Sequence, residues 1–386
     1  MFSKSDAELT KMGAVITTRE IQQQPELWHE TWDIYQSHLT EIKDFFAKIN
    51  EKFGKVRVIF TGAGTSAFVG NTITPYLRQH GDRSKYDFEA IDTTKIVSTP
   101  LAYLEPDTPT VLVSFARSGN SPESVATVEV AEQIVKNLYQ VTITCAPDGQ
   151  LAKKAETEDD NLLLLMPARS NDKGFAMTGS FSCMSLTSLL VFDTAADSEK
   201  EEYVNTIAKL GESVVAREDE ISELLNVDFN HIAYLGSGTL GGLTQEAALK
   251  ILELTAGKVA TIFDTSMGFR HGPKSFLDDK TIVFDFFSNE QYTRQYDVDI
   301  LEEIKGDEIV PVVVAVGMSQ DNNFSGTQFN FETSNLPDGY LALADVMVAQ
   351  TVSLLTSIKV GNTPDTPSAT GTVNRVVKGV TIHPFN

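Results

Sequence analysis

The sequence has few cysteines and few positive charges. Only two of its 386 residues are cysteine, Cys145 and Cys183, and 31 lysine and arginine residues stand against 53 aspartate and glutamate residues, for a net charge of −22. Two cysteines cannot build a disulfide framework, so we expect a reducing, cytoplasmic location. The acidity argues against the clustered cationic surface that nucleic acids and anionic membranes require, so neither is an expected partner.

Signals for export and for membrane insertion are also lacking. Residues 1–13 are polar and acidic where a signal peptide needs an apolar core. No uninterrupted apolar run approaches the roughly 20 residues that span a bilayer. With 41% hydrophobic and 22% charged residues, the composition is that of a soluble globular protein, and the length predicts two domains.

Short apolar runs that end at turns alternate with helical stretches. The runs at 56–60, 110–115 and 140–145 each lead into a turn that contains glycine or proline. Strand, turn, helix and strand in succession are typical of a parallel sheet with crossover helices. The sequence therefore predicts an α/β fold.

The pattern begins again after an acidic helical stretch at about 197–228. Residues 60–65 and 234–239 share the pattern aromatic-x-Gly-x-Gly-Thr, which predicts two copies of one α/β unit. Strands of the second copy are predicted at 231–235, 258–262, 281–287 and 309–316. The predicted bounds are a helical arm at 1–45, domains at 46–200 and 215–372, and a tail at 373–386.

The turn after the first run has the composition of an anion site. Gly64, Thr65 and Ser66 lie in the segment GAGTSAFVG at 62–70, where a strand gives way to a helix. Glycines let an anion approach the free N–H groups of a helix N-terminus, and the hydroxyls add donors. Neither the ending of a Walker P-loop nor the glycine spacing of a dinucleotide site is present. A phosphate cradle and a tight, capped turn are both open interpretations.

A second turn of this kind is SFARSGNSPES at 114–124. Ser118 and Ser121 offer hydroxyls around Gly119, and Arg117 adds a fork-shaped cationic ligand for phosphate. Capping of the following helix by Ser121 is the alternative. The turns of neighbouring parallel strands line one crevice at the carboxyl ends of the strands, so the two turns together favour a phosphate site.

The helix at 244–256 carries a polar stripe. Glu246, Lys250 and Glu253 fall within about 60° of one another around the helix, among apolar neighbours. They either pair with one another along the helix or face a cleft, where Glu253 is a general base and Lys250 a nearby cation.

His271 lies in a Gly-Pro turn, MGFRHGPKSF at 267–276, between Arg270 and Lys274. A histidine in such a turn can exchange protons near neutral pH, and a solvated loop histidine is the alternative. None of the six histidines has the spacing of a metal ligand relative to a cysteine or another histidine, so neither a metal nor a cofactor is expected.

These four segments together resemble the SIS (sugar isomerase) domain family. The similarity is greatest to the isomerase half of glucosamine-6-phosphate synthase and, within the family, to the group of tagatose-6-phosphate ketose/aldose isomerases and galactosamine-6-phosphate deaminases. Its most specific parts are GAGTS, RSGNS, EAALKILE and RHGP. The resemblance implies two tandem SIS units, each a five-stranded parallel sheet flanked by helices, usually assembled as a homodimer, with a small sugar phosphate as ligand.

The resemblance also implies roles for individual residues. Glu253 matches the base that moves a proton between C1 and C2, and Lys250 matches the lysine one turn before it. His271 matches the ring-opening histidine, which in the family often reaches the active site of the neighbouring subunit. Lys378 matches a tail lysine that closes over the sugar. The residues that match phosphate ligands of the family are Thr65, Ser66, Ser118 and Ser121.

Two departures from the family pattern bear on function. Ala116 replaces a serine of the synthase motif, and we expect Arg117 to take its place as a phosphate ligand. Phe2 stands where a glutaminase has its cysteine nucleophile, and the glutaminase domain is missing, so glutamine-dependent synthesis is not expected.

The expected activity is aldose–ketose chemistry on a hexose 6-phosphate or its 2-amino derivative, with Lys250 and Lys378 stabilising the developing oxyanion. A hydroxyl at C2 leads to the isomeric ketose. An amine at C2 leads to an imine that hydrolyses to ammonia and the ketose phosphate, as for galactosamine 6-phosphate and tagatose 6-phosphate. Both outcomes stay open. A non-catalytic sugar-phosphate sensor, which needs the cradles but not Glu253 or His271, is the alternative.

Overall fold

The computed structural model describes residues 1–371, 373–375, 377 and 379–385. Lys378, one of the predicted site residues, lies outside the described residues. The chain begins with a helical region, as predicted, and its three helices are α1 (Asp6–Met12), α2 (Val15–Gln22) and α3 (Gln24–Lys52).

The first sheet follows α3. Its strands are β1 (Val56–Thr61), β2 (Tyr86–Ala90), β3 (Thr110–Ala116), β4 (Leu138–Thr144) and β5 (Asn161–Leu165). They are all parallel, in the order β2-β1-β3-β4-β5. The helices between and after them are α4 (Thr65–His80), α5 (Thr93–Ser98), α6 (Pro122–Ile134), α7 (Gln150–Ala155) and α8 (Gly179–Phe192). Every residue of β3 is buried, because a central parallel strand is covered on both faces.

The second sheet repeats this arrangement. Two helices, α9 (Asp197–Ala216) and α10 (Glu218–Leu224), precede it. Its strands are β6 (His231–Gly236), β7 (Ala260–Thr265), β8 (Thr281–Phe286), β9 (Val312–Met318) and β10 (Thr327–Phe331). Its helices are α11 (Gly238–Thr255), α12 (Gln291–Gly306) and α13 (Asp338–Lys359). The strands are again all parallel, in the order β10-β9-β8-β6-β7, so the predicted pair of five-stranded parallel sheets is confirmed.

Aromatic side chains fill one face of each sheet. In the first sheet the ring of Phe60 stacks on those of Phe88 and Phe115. In the second sheet, Tyr234 of β6 occupies the position that matches Phe60, and its ring stacks on those of Phe284 and Phe286. Large buried aromatics of this kind dominate the hydrophobic stabilisation of a core. The repeat seen in the sequence is therefore a repeat of core packing as well.

Contacts group the chain into two compact units, one around each sheet. The first-sheet unit contains Leu27–Asp172, Gly179–Glu201 and the described residues of 373–385. The second-sheet unit contains Met1–Glu26, Lys173–Thr178 and Glu202–Gly371. The predicted domain bounds remain a prediction; in the contact grouping, the first 26 residues belong with the second sheet.

One helix among the described residues, α13, is long and apolar enough to cross a membrane by length and composition. Its most apolar 18-residue window has a mean hydropathy of 1.6 and is 89% buried inside the protein. Asp345 and Gln350 interrupt its apolar sequence. Burial of this extent is what the core helix of a globular fold shows, so α13 is weak evidence for a membrane span.

Candidate active site

The turn between β1 and α4 has the geometry of an anion-binding helix N-terminus. Gly64 has φ 57°, a left-handed conformation that favours glycine. A Cβ on Gly62 would lie 2.5 Å from the carbonyl carbon of Ser66, so only glycine lets the helix start this close to the strand. Thr65 and Ser66 are buried in the first turn of α4. The structure thus provides the predicted cradle, and phosphate binding to it remains a prediction.

Buried hydroxyls lie at the carboxyl ends of the two central strands beside this turn. Thr61 of β1 and Ser114 of β3 are register partners. Among the described residues, neither hydroxyl has a hydrogen-bond partner. Buried polar groups in native proteins are nearly always satisfied, by protein, water or ligand, so this end of the sheet has unused hydrogen-bonding capacity.

The turn between β3 and α6 is held by a backbone hydrogen bond from α7. Gly119 has φ 65° and accepts a hydrogen bond on its carbonyl from the N–H of Leu151, at 3.2 Å. Ser118 is half-buried. Ser121 precedes α6 but makes no side-chain capping hydrogen bond. Ser121 thus occupies the N-cap position of α6, but its hydroxyl does not cap the helix.

Arg117 is buried and contacts the C-terminal tail. Its side chain is only 7% exposed, and its Nη2 donates to the carbonyl oxygen of Arg375 at 2.6 Å. The Arg375 guanidinium in turn donates to the carbonyl oxygen of Asp172 and to Oδ1 of Asn171. The sequence did not indicate a role for Arg375, because no local pattern pairs residues 258 positions apart.

On α11 the three predicted polar residues form one ion-pair cluster. Glu246 and Lys250 have fully buried side chains, whereas that of Glu253 is 21% exposed. Lys250 Nζ lies 3.3 Å from Glu246 Oε1 and donates to the Glu253 carboxylate. Burial opposes the charge on Lys250, but the two carboxylates outweigh it and raise its pKa. The pairing along the helix is confirmed, and it leaves one carboxylate accessible.

His271 is exposed in the loop after β7. Its N–H donates to the carbonyl oxygen of Gly268 at 2.8 Å. The flanking cations fix the loop to α12, since Arg270 and Lys274 both contact the Glu303 carboxylate, at 2.6 and 2.5 Å. Within the described ranges, no hydrogen bond joins His271 to the cluster on α11.

The predicted residues divide between the two units. Those proposed to hold phosphate belong to the first-sheet unit: Gly64, Thr65, Ser66, Arg117, Ser118, Gly119 and Ser121. Those proposed to move protons belong to the second-sheet unit: Lys250, Glu253 and His271. The predicted phosphate ligands and the predicted proton-transfer residues thus belong to different units.

Comparisons with known proteins identify the family of the chain. The family model for the SIS domain matches residues 53–192. D-galactosamine-6-phosphate deaminase AgaS of Escherichia coli is 43% identical over 96% of this chain and 96% of its own length. The protein of that name from Shewanella sp. (strain ANA-3) is 39% identical over 99% of this chain and 95% of its own length.

A solved structure extends the likeness to the whole fold. The tagatose-6-phosphate ketose/aldose isomerase of Escherichia coli is 38% identical, covers 99% of each chain and has a TM-score of 0.88. Two parallel sheets with glycine-rich strand–helix turns, matched over nearly the full length, define a tandem SIS protein. The chain belongs to the SIS domain family, in the group of galactosamine-6-phosphate deaminases and tagatose-6-phosphate ketose/aldose isomerases.

Proposed function

We propose that the chain deaminates galactosamine 6-phosphate to tagatose 6-phosphate and ammonia. The coarser expectation, an enzyme that isomerises or deaminates a sugar phosphate, is confirmed by the relatives at 39–43% identity. In the structure, the observation that carries the proposal is the partly exposed Glu253 carboxylate beside the buried, charged Lys250. In such a pair the exposed carboxylate can accept a proton from a substrate carbon, while the buried lysine keeps the carboxylate in position.

The phosphate of the substrate binds at the turns of the first sheet in this proposal. Helix N-termini attract anions through their free N–H groups and their dipole. The hydroxyls of Thr65, Ser66, Ser118 and Ser121 add donors to these turns. Arg117 adds a positive charge, and its Nη2 already donates a hydrogen bond to the C-terminal tail. The phosphate therefore positions the sugar without taking part in the chemistry.

Glu253 removes the proton from C2 of the open-chain amino sugar. The electron pair forms an enolamine between C1 and C2, and return of the proton to C1 gives an imine at C2. Water hydrolyses this imine to the C2 ketone and ammonia, so atoms balance without an added oxidant or cofactor. Lys250 donates a hydrogen bond to the Glu253 carboxylate, which holds the general base in position. His271 opens the sugar ring. Lys378 closes over the sugar, which is the role that the resemblance to the family implies.

Ketose/aldose isomerisation of tagatose 6-phosphate is the second candidate. The observation that favours it is the name of the matching structure from Escherichia coli. The same residues serve both reactions. When C2 carries a hydroxyl in place of the amine, no imine forms and the product is the isomeric sugar. A cytoplasmic location and a homodimer remain predictions.

The protein is to be incubated separately with galactosamine 6-phosphate and with tagatose 6-phosphate, and ammonia and ketose followed together. Equal amounts of ammonia and ketose from the amino sugar support the deaminase. Turnover of tagatose 6-phosphate alone supports the isomerase. Tight binding of either sugar without any turnover would contradict both and favour the non-catalytic sensor.

A further inference from the structure

The two sheets match one another in the hydrogen bonds around their glycine-rich turns. In the first sheet, Thr93 follows the edge strand β2 and donates its N–H to the carbonyl oxygen of Gly62, at 2.8 Å. In the second sheet, Ser266 follows the edge strand β7 and donates its N–H to the carbonyl oxygen of Gly236, at 3.1 Å. The turn after β6 is therefore the structural counterpart of the proposed phosphate cradle.

A carboxylate of the protein itself fills this second turn. Oδ1 of the buried Asp297 accepts from the hydroxyls of Ser237 and Ser266, at 2.5 and 2.7 Å. Its Oδ2 accepts from the N–H of Ser288, at 3.0 Å. Two hydroxyls and a backbone N–H that converge on one anion are the kind of donors by which proteins hold an oxyanion. Asp297 thus engages one hydroxyl of the second turn and two donors that follow the strands on either side of it.

The matching position in the first sheet is neutral. Thr127 is the sixth residue of α6, and Asp297 is the seventh residue of α12. Thr127 Oγ1 lies 3.3 Å from the carbonyl oxygen of Thr93, just as Asp297 contacts Ser266, the counterpart of Thr93. One helix position facing the turn therefore carries a hydroxyl in one sheet and a carboxylate in the other.

Two more carboxylates surround the filled turn. Asp285 of β8 is fully buried and 3.2 Å from the Ser266 hydroxyl. Burial and the nearby Asp297 raise the pKa of Asp285 well above its ordinary value. Asp338 accepts from the hydroxyl of Ser288 at 2.5 Å. The second turn is therefore lined by carboxyl groups, whereas the cation Arg117 follows strand β3 beside the first turn.

We propose that Asp297 is a built-in anion that closes the second turn and confines phosphate to the first sheet. Asp297 is then a specificity-determining residue that gives each chain a single oxyanion site. The location of that site rests on the proposed function. The occupancy of the second turn rests on the hydrogen bonds of Asp297 alone.

The test removes the built-in anion and supplies a small one. Full-length Asp297→Ala removes the acceptor of the Ser237 hydroxyl and of the Ser288 N–H, while the Ser266 hydroxyl keeps Asp285, so its Tm should fall by on the order of 5 °C or more. Sodium formate, compared with sodium chloride at equal ionic strength, should restore part of that loss. The matched control is Asp299→Ala, an exposed position on the same helix, which should show neither effect. A Tm of Asp297→Ala that responds equally to formate and chloride would overturn the proposal.

A second measurement decides the matter even where Asp297→Ala does not fold. Calorimetric titration of the wild-type protein with inorganic phosphate should give one site per chain, weakened by Thr65→Val and unchanged by Thr239→Val at the counterpart position. Two sites, no site, or a single site weakened by Thr239→Val would overturn the proposal. Failure of the proposed function is distinguishable, because it would appear as an absence of turnover with this binding pattern intact.

Discussion

The helices α4 and α11 follow equivalent turns in the two sheets, but they carry different side chains. Counted from the left-handed glycine of each turn, the buried Lys250 of α11 corresponds to Tyr76 of α4, and Glu253 corresponds to Gln79. Tyr76 is buried like Lys250, and its hydroxyl donates to an aspartate at 2.9 Å. A charged proton-transfer pair in one sheet is thus matched by neutral residues in the other.

The two glycine-rich turns also differ in the side chains around them, with the cation now in the first sheet and the carboxylate in the second. The first turn lies in a unit that offers Arg117 and serine and threonine hydroxyls, whereas the second is filled by Asp297. The shared backbone explains why both halves fold alike, and a few side chains decide what each half can bind or catalyse. The comparison teaches that two copies of one fold carry different side chains at matching positions, as the proposed anion-binding half and proton-transfer half require.

The largest expected effect comes from Glu253→Gln. Loss of the general base should lower kcat by about 10²–10⁴-fold, while the affinity for the sugar phosphate changes little. The matched control is Gln79→Ala, the exposed counterpart on α4, which should leave kcat unchanged. Steady-state ammonia release measures both. A fully active Glu253→Gln variant would remove the proton-transfer role from the second sheet.

Lys250→Met should destabilise the fold. It leaves the fully buried Glu246 carboxylate without its ion-pair partner, and breaking a buried pair costs about 3–5 kcal/mol. Urea unfolding gives the free energy of unfolding of variant and wild type. Tyr76→Met at the counterpart position removes one neutral hydrogen bond to the Asp193 carboxylate but no ion-pair partner, so it should cost less. Equal losses in the two variants would show that charge plays no special part on α11.

Thr65→Val tests the anion-binding half. Loss of one hydrogen bond to a charged group is worth about 1.5–3 kcal/mol, so KM should rise by roughly 10–100-fold. Thr239→Val is the matched control, because both threonines are 4% exposed at the start of their helices. A larger rise in KM for Thr239→Val would reverse the assignment of the two turns.

The smallest effect concerns pH and the carboxylates of the second turn. Burial raises the pKa of Asp338 to about 6. The folded state therefore holds this proton more tightly than the unfolded state, and the resulting stability is complete below about pH 4 and lost as the pH rises through about 6. Relative to Asp338→Asn, the wild-type free energy of unfolding should fall by about 1–3 kcal/mol over that window. A constant difference between the two proteins would contradict the raised pKa.

Much of the fold follows from local sequence. The central strands were predictable because they are apolar runs that end in glycine turns, and the repeat of those turns indicated two sheets. The edge strands β2, β5 and β10 were not identified, since β2 and β10 mix polar or charged residues with apolar ones and β5 has no β-branched residue. The turn geometry at Gly64 was also predictable, because only glycine readily adopts that conformation.

The partners of the site residues were less predictable. The Glu–Lys–Glu cluster on α11 follows from helical spacing alone. The contact of Arg117 with the tail and that of Ser237 with Asp297 join residues 258 and 60 positions apart. Such pairs depend on the tertiary fold, which a single sequence does not reveal.

The central claim is that the first sheet binds the phosphate and the second sheet transfers the proton. Parallel measurement of binding and turnover in Glu253→Gln and Thr65→Val tests it most directly. Galactosamine 6-phosphate is titrated into each variant by calorimetry, and ammonia release is measured on the same preparations. The account predicts that Glu253→Gln binds the sugar phosphate like the wild type but releases almost no ammonia, whereas Thr65→Val binds weakly and still releases ammonia at saturation. Lost binding in Glu253→Gln, together with unimpaired binding in Thr65→Val, would contradict it.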